Sequence, residues 1–255
     1  MTTSQRSQHF VAGTIEGPNG TTREKLTLAA LALRCAKLLL AVTEFAQQRR
    51  FGEVIPIVAR SLFESALKLG WMSLENTADA VNRFVAFGLR TERELERFIR
   101  AEIERNGREL PVERRMLESV ERTFRLSQMS ETEIFATKKL PDMASMADRV
   151  LGGRLPYITL YEITSHAAHG TWVDVLYRYT GPSDDGGIQL YFGAVPPDME
   201  SLISSGVVVT VAVEALVHAT LGPSEAETLR STLRTARTQL VTILHEFSGD
   251  DYKAG

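Results

Sequence analysis

Leu26-Thr-Leu-Ala-Ala-Leu31-Ala-Leu33-Arg34-Cys35-Ala-Lys37-Leu-Leu-Leu40-Ala-Val42-Thr-Glu-Phe45 is the stretch that decides the fold class. Leu31, Cys35, Leu38, Val42 and Phe45 recur at helical spacing, while Leu26, Ala30, Leu33 and Leu40 widen the apolar arc. A helix apolar over so much of its circumference belongs near the centre of a helical protein. Thr21 with Glu24 predicts a capping box at its start, and Gly52 a stop just beyond Arg50.

Downstream the same period continues. A second helix is predicted from Pro56 to about Glu75, with Ile55, Val58, Leu62, Ala66 and Leu69 as its apolar row. Asp79–Leu89 leads into a Thr91/Glu94 capping pair, and helix then runs to Asn106-Gly107, as one kinked element or two. Pro111 opens a fourth long helical stretch, Pro141–Leu151 a short one ended by Gly152-Gly153, and Pro156–Ala168 another, stopped by Gly170. There the period changes. Trp172, Asp174, Leu176 and Arg178 alternate with Val173, Val175, Tyr177 and Tyr179, a turn-rich run follows at Gly181–Gly187, and Ile188–Phe192 reads as a returning strand. Two helices close the chain, Asp198–Leu221 and one from a Ser224/Glu227 capping box to Phe247. The expectation is an all-α protein, a single multi-helix domain over residues 23–249 with a small β-hairpin insertion near 172–193. Residues 1–22 read as a flexible lead-in and 250–255 as a C-terminal tail.

Composition narrows the function classes. The 255 residues carry a formal net charge of −3, which argues against a chain that coats nucleic acid or an anionic membrane. A single cysteine, Cys35, excludes an internal disulfide and any multi-cysteine zinc site, and its place on an apolar helical row marks it as packed. The first 22 residues lack a signal-peptide core. Arg34 and Lys37 interrupt one apolar run, and Glu214 and His218 the other, so buried helices are preferred to membrane spans and the expected address is the cytoplasm, with no membrane partner. Phosphate-binding glycine loops and a Gly-x-Ser-x-Gly elbow are absent from the sequence.

Chemistry concentrates in Tyr161-Glu162-Ile163-Thr164-Ser165-His166-Ala167-Ala168-His169-Gly170. At about 100° per residue, Tyr161, Ser165 and His169 form an i, i+4, i+8 row with Glu162 and His166 beside it, an arc of roughly 140°. Such a row offers an acid/base imidazole, a hydroxyl and a phenol to one cleft, or else a polar flank with a Ser–His hydrogen bond. Arg60, Glu64 and Lys68 repeat at i, i+4, i+8 on the second helix. They are a solvated ion-pair row or, if they face Tyr161 and His169, a site where Arg60, Lys68 and His166 hold an anion and Glu64 orients the imidazole. Glu162, His166 and His169 could present a carboxylate and two imidazoles together, but they lack the metallopeptidase pattern, and no metal is assigned. Glu214 and His218 are expected to hydrogen-bond each other, and the rows Arg90/Arg93/Arg97/Arg100 and Arg230/Arg234/Arg237 to form charged, exposed faces.

With Arg60-x-x-x-Glu64, the Arg83-Phe84 step and Tyr161-x-x-x-Ser165-x-x-x-His169-Gly170, the chain resembles DUF5677, an uncharacterised bacterial helical family, over roughly Leu28–Thr171. The resemblance implies a mainly helical fold in which Arg60, Glu64, Tyr161, Ser165 and His169 approach one another, and no known activity or cofactor. Thr164 stands where the family has a small or aliphatic residue, and Gly170 where it often has proline. A more distant likeness is to the HEPN helical ribonucleases, whose motif sets a histidine four to six residues after an arginine; none of His9, His166, His169, His218 or His245 has one there. Two functions follow. The preferred one is a non-catalytic interaction module or homo-oligomer, with His169, Ser165, Tyr161 and Glu64 serving helix packing. The alternative is binding or cleavage of an anionic small molecule or phosphodiester such as RNA, with His169 as acid/base and Arg60 as charge stabiliser.

Overall fold

The computed structural model describes residues 23–48, 51–75, 77–153, 157–184, 186–191, 193 and 195–251. At its centre is α2 (Ile55–Leu74), whose Leu62, Phe63, Ala66, Leu67, Leu69 and Met72 are buried together. Pro56 sits in its first turn, where a missing N–H costs nothing. Around it pack α1 (Arg23–Gln48), α6 (Met143–Leu151), α7 (Ile163–His169) and α9 (Met199–Thr220), with α10 (Pro223–Asp251) lying on the far side of α9. Gly70 permits the close approach of α6, because a Cβ there would stand 2.8 Å from Val150 Cγ1. Cys35 is buried in the same core, and burial pushes its thiol up to about 11, only partly offset by Arg34.

A second, smaller cluster of Ala86, Leu89 and Ile134 joins α3 (Thr77–Asn106) to α5 (Glu131–Ala136), with α4 (Pro111–Ser127) alongside. The region predicted as one or two helices is the single α3, and Thr91 donates to the Phe87 carbonyl inside it rather than capping a new start. The long stretch after Pro111 divides at Gln128, whose φ of 53° ends α4, and Ser130 with Glu133 caps α5. Asp142 caps α6 and Asp198 caps α9 through their carboxylates. Thr21 of the predicted Thr21/Glu24 cap and the residue 1–22 lead-in fall outside the described residues, as do Arg50, Asn76 and the last four positions of the tail. At the other end α10 begins at Pro223, which puts Ser224 inside its first turn, and it reaches Asp251, past Phe247 and into the expected tail.

The hairpin exists but is shorter than expected. Only Thr180–Pro182 (β1) and Ile188–Leu190 (β2) pair, antiparallel, with Gly181 opposite Gln189. Trp172–Tyr179, predicted as its first strand, is instead helix α8. Asp174, Val175, Leu176 and Arg178, with Thr171 at the N-cap, are its less exposed positions, and Thr171, Asp174, Val175 and Arg178 among them keep helical spacing. Two of these five are an ion pair, Asp174 with Arg178 at 2.8 Å, so the alternation of apolar residues carried no information about the inward face.

The turn between α1 and α2 touches the segment leading from the hairpin into α9. A Cβ on buried Gly52 would overlap the carbonyl oxygens of Val195 and Pro196. Gly52→Ala is expected to cost about 1–3 kcal/mol, since backbone rather than a flexible side chain must give way. Urea unfolding followed by circular dichroism checks this, and an unchanged midpoint would show that the two segments do not meet.

Candidate functional site

The polar row on α2 and the segment before Gly170 do come together. Glu64 accepts from Arg60 Nε at 3.4 Å, the Tyr161 hydroxyl accepts from Arg60 Nη2 at 2.8 Å, and Ser165 Oγ accepts from Nη1. The guanidinium also lies over the Tyr161 ring, 4.4 Å from its centroid. Lys68 Nζ reaches the other oxygen of Glu64 at 3.6 Å. Arg60 thus has all three nitrogens occupied by its own chain. Its side chain is only 15% exposed. The apolar side of Tyr161 is fixed by a stack on Tyr157 at 4.8 Å and by Phe63 at 6.1 Å.

Local backbone explains why Tyr161 and Ser165 share this contact while His169 does not. Tyr157–Glu162 is a π-helix that passes directly into α7. Four residues at about 100° overshoot a full turn by about 40°, so an i, i+8 partner has moved about 80° round the helix. His169, at the end of α7 before Gly170 with φ 57°, is exposed, and its side chain has no hydrogen bond among the described residues. His166 is exposed too, and its Nδ1 lies 2.9 Å from the Thr171 hydroxyl. The expected Ser165–His169 interaction is replaced by Ser165–Arg60. Glu162 has its side chain outside the description, and among the described residues no three His, Cys, Asp or Glu side chains cluster as a metal site would require.

Electrostatics follow from this geometry. Burial and then the Glu64 carboxylate push the Tyr161 phenol above its ordinary value against the opposing charge of Arg60, so the hydroxyl stays protonated at neutral pH. The group of charges is one cation more than it is anions: Arg60 and Lys68 around Glu64. Three cavities, of about 350, 320 and 240 Å³, lie elsewhere, along α10, between α3 and α4, and beside Arg23 and Met129. None of these is lined by Arg60 or His169.

Other charged positions turn out to fasten elements. Glu214 pairs with Arg234 at 2.8 Å, Arg237 at 2.9 Å and Arg230 at 3.6 Å rather than with His218, which is exposed. The arginine row of α10 is therefore a clamp on α9. Arg90 donates to the Ile134 and Thr137 carbonyls, and Arg93 bridges Glu96 and Glu131, so two members of the other row hold α5 against α3. Arg83 binds the Lys139 carbonyl and lies 5.1 Å over Trp71. Sequence spacing revealed that these rows existed; their partners on other elements, 16 to 56 residues away, left no periodic signal.

No curated protein and no solved structure matches the chain. The family model for DUF5677, a family of unknown function, matches residues 25–188, a span that holds Arg60, Glu64, Arg83, Tyr161, Ser165 and His169 and exceeds half the chain, and the protein therefore belongs to DUF5677.

Proposed function

We propose that this protein is a non-catalytic helical interaction module and that the Arg60/Glu64/Lys68/Tyr161/Ser165 cluster is its internal fastening. One observation carries the reading: every nitrogen of Arg60 is used by Glu64, Tyr161 or Ser165, while the histidine that catalysis would need stands apart in solvent. The cluster ties α2 to the π-helix and α7. With Arg60 spent on the chain's own packing, this cluster offers a partner no free guanidinium. Its setting is the cytoplasm, without a membrane partner. Both α1 and α9 are long and apolar enough to cross a membrane by length and composition. Supporting the cytoplasmic reading, α9 packs between α2 and α10 and carries Glu214 inside a cluster of three arginines, a costly group to expose to lipid.

A second reading, binding or cleavage of an anionic phosphodiester such as RNA, has the π-helix in its favour, since such turns occur frequently at functional sites. It requires the anion to displace Ser165 and Tyr161 from Arg60, with Lys68 and His166 as further contacts and His169, Ser165, Tyr161 and Glu64 as catalytic groups. His169→Ala separates the two. The substitution is expected to change stability by less than about 0.5 kcal/mol, as for an exposed residue outside any network. Under the interaction reading the native chain neither retains nor cuts a labelled single-stranded RNA, and His169→Ala behaves identically. Cleavage by the native chain that disappears in His169→Ala would replace the first reading with the second.

A further inference from the structure

Away from α2, α1 carries a row of leucines left exposed among the described residues. Leu28, Leu31, Cys35 and Val42 face the core. On the opposite side Leu26, Leu33 and Leu40 are 59%, 55% and 70% exposed. These three repeat every seven residues, and Ala29 and Ala36, also exposed, repeat with the same period beside them. A seven-residue repeat of large side chains with small ones between them is the pattern by which one helix seats on another. A lipid surface is poorly served there, because Lys37 and Glu44 both lie within about 40° of the line of the three leucines.

From these residues we infer that α1 pairs with α1 of a second copy, antiparallel, across a two-fold axis level with Arg34 and Cys35. The inference rests on the interaction reading above and names its partner. Size and charge both select the orientation. Antiparallel pairing sets Leu33 against Ala36 of the other copy and Leu40 against its Ala29, so these two leucines fill the space over alanines, while Leu26 falls level with Thr43. Parallel pairing would stack leucine on leucine and alanine on alanine, which leaves gaps at every second layer. Antiparallel pairing also brings Lys25, near the start of the helix, level with Glu44 of the other copy near its end. Parallel pairing would set Lys37 against Lys37 and Glu44 against Glu44, at a cost in like-charge repulsion. A two-fold axis makes every such contact occur twice, which is how a stripe of modest width reaches a stable interface.

Sedimentation equilibrium on the full chain, from about 1 to 100 μM, tests the pairing. The native chain is expected to dimerise, and Leu33→Glu to weaken association about 30-fold or more with unchanged helical circular dichroism. Lys25→Glu and Glu44→Lys each weaken association, and the two together restore it. Orientation is read separately, by cysteine oxidation. A mixture of Ala29→Cys and Leu40→Cys chains forms a mixed disulfide, whereas neither alone does, since like positions sit about 16 Å apart along the axis. Buried Cys35 stays out of the reaction. A native chain that is monomeric throughout this range overturns the inference. So does a dimer indifferent to Leu33→Glu, efficient self-crosslinking of Leu40→Cys, or a monomer that sediments with phosphatidylserine vesicles through Leu33. A monomer without RNA cleavage refutes this pairing and leaves the interaction reading in place; RNA cleavage lost with His169 refutes that reading whatever the oligomeric state.

Discussion

Arg60→Ala is expected to lower the melting temperature by about 6–12 °C, from a loss near 3 kcal/mol at 2–4 °C per kcal/mol for a chain of this size. The loss has three sources. Glu64 keeps only Lys68 as a cationic partner, at 3.6 Å. Tyr161 loses the donor at 2.8 Å and the cation above its ring, and Ser165 loses its donor as well. Because Arg60 is 15% exposed, water reaches part of the gap, and the figure belongs at the lower end of the range for breaking a buried pair. Arg60→Lys keeps the charge but cannot reach Glu64, Tyr161 and Ser165 together, so it should recover less than half of the loss. Differential scanning calorimetry checks both variants. A melting temperature unchanged in Arg60→Ala would mean that the cluster does not fasten α7, and would remove the observation on which the interaction reading stands.

Glu214→Ala is the second large effect, about 2–4 kcal/mol, because it leaves Arg230, Arg234 and Arg237 with no common anion where α10 meets α9. The loss should be local. Hydrogen exchange is expected to speed up in α10 before it does in α2, since α10 packs mainly on α9. The pH dependence has a definite sign. Burial by itself raises the Glu214 carboxyl, but the Arg234 and Arg237 hydrogen bonds and charges outweigh it and hold the group below the usual glutamate range. A depressed folded-state value stabilises the fold above the unfolded glutamate value, about 4.3, and that stabilisation disappears as pH falls through the folded value. The stability gap between the native chain and Glu214→Gln should therefore be constant from pH 7 to about 5 and close on further acidification. A gap that persists at pH 2 would show that the carboxylate charge is not what the arginines hold.

Helices α2 and α9 were legible because most of their apolar residues face one core, and burial of apolar area leaves a period of 3.6 in the sequence. Ile55–Leu74 and Met199–Thr220 lie within a residue or so of their predicted limits for that reason. Where the inward face is polar the same signal fails. The buried side of Trp172–Tyr179 is led by an Asp174–Arg178 ion pair, so a two-residue alternation on its outer side imitated a strand. The four-residue spacing points Glu214 at His218, whereas three arginines on the next helix hold it.

The candidate site divides along the same line. Residue types and spacing on each segment are properties of the sequence: a guanidinium, a carboxylate and an ammonium on one helix, a phenol, a hydroxyl and two imidazoles on another. Which of them meet depends on helical phase and on the approach of two segments about a hundred residues apart, and no local rule encodes either. The chain alone determined a helical bundle with a hairpin and two polar rows, because periodic burial is written residue by residue. Only the tertiary structure decided that Arg60 is bound by Tyr161 and Ser165 and that His169 is left in water, because the overshoot of each helical repeat rotates that histidine out of the contact.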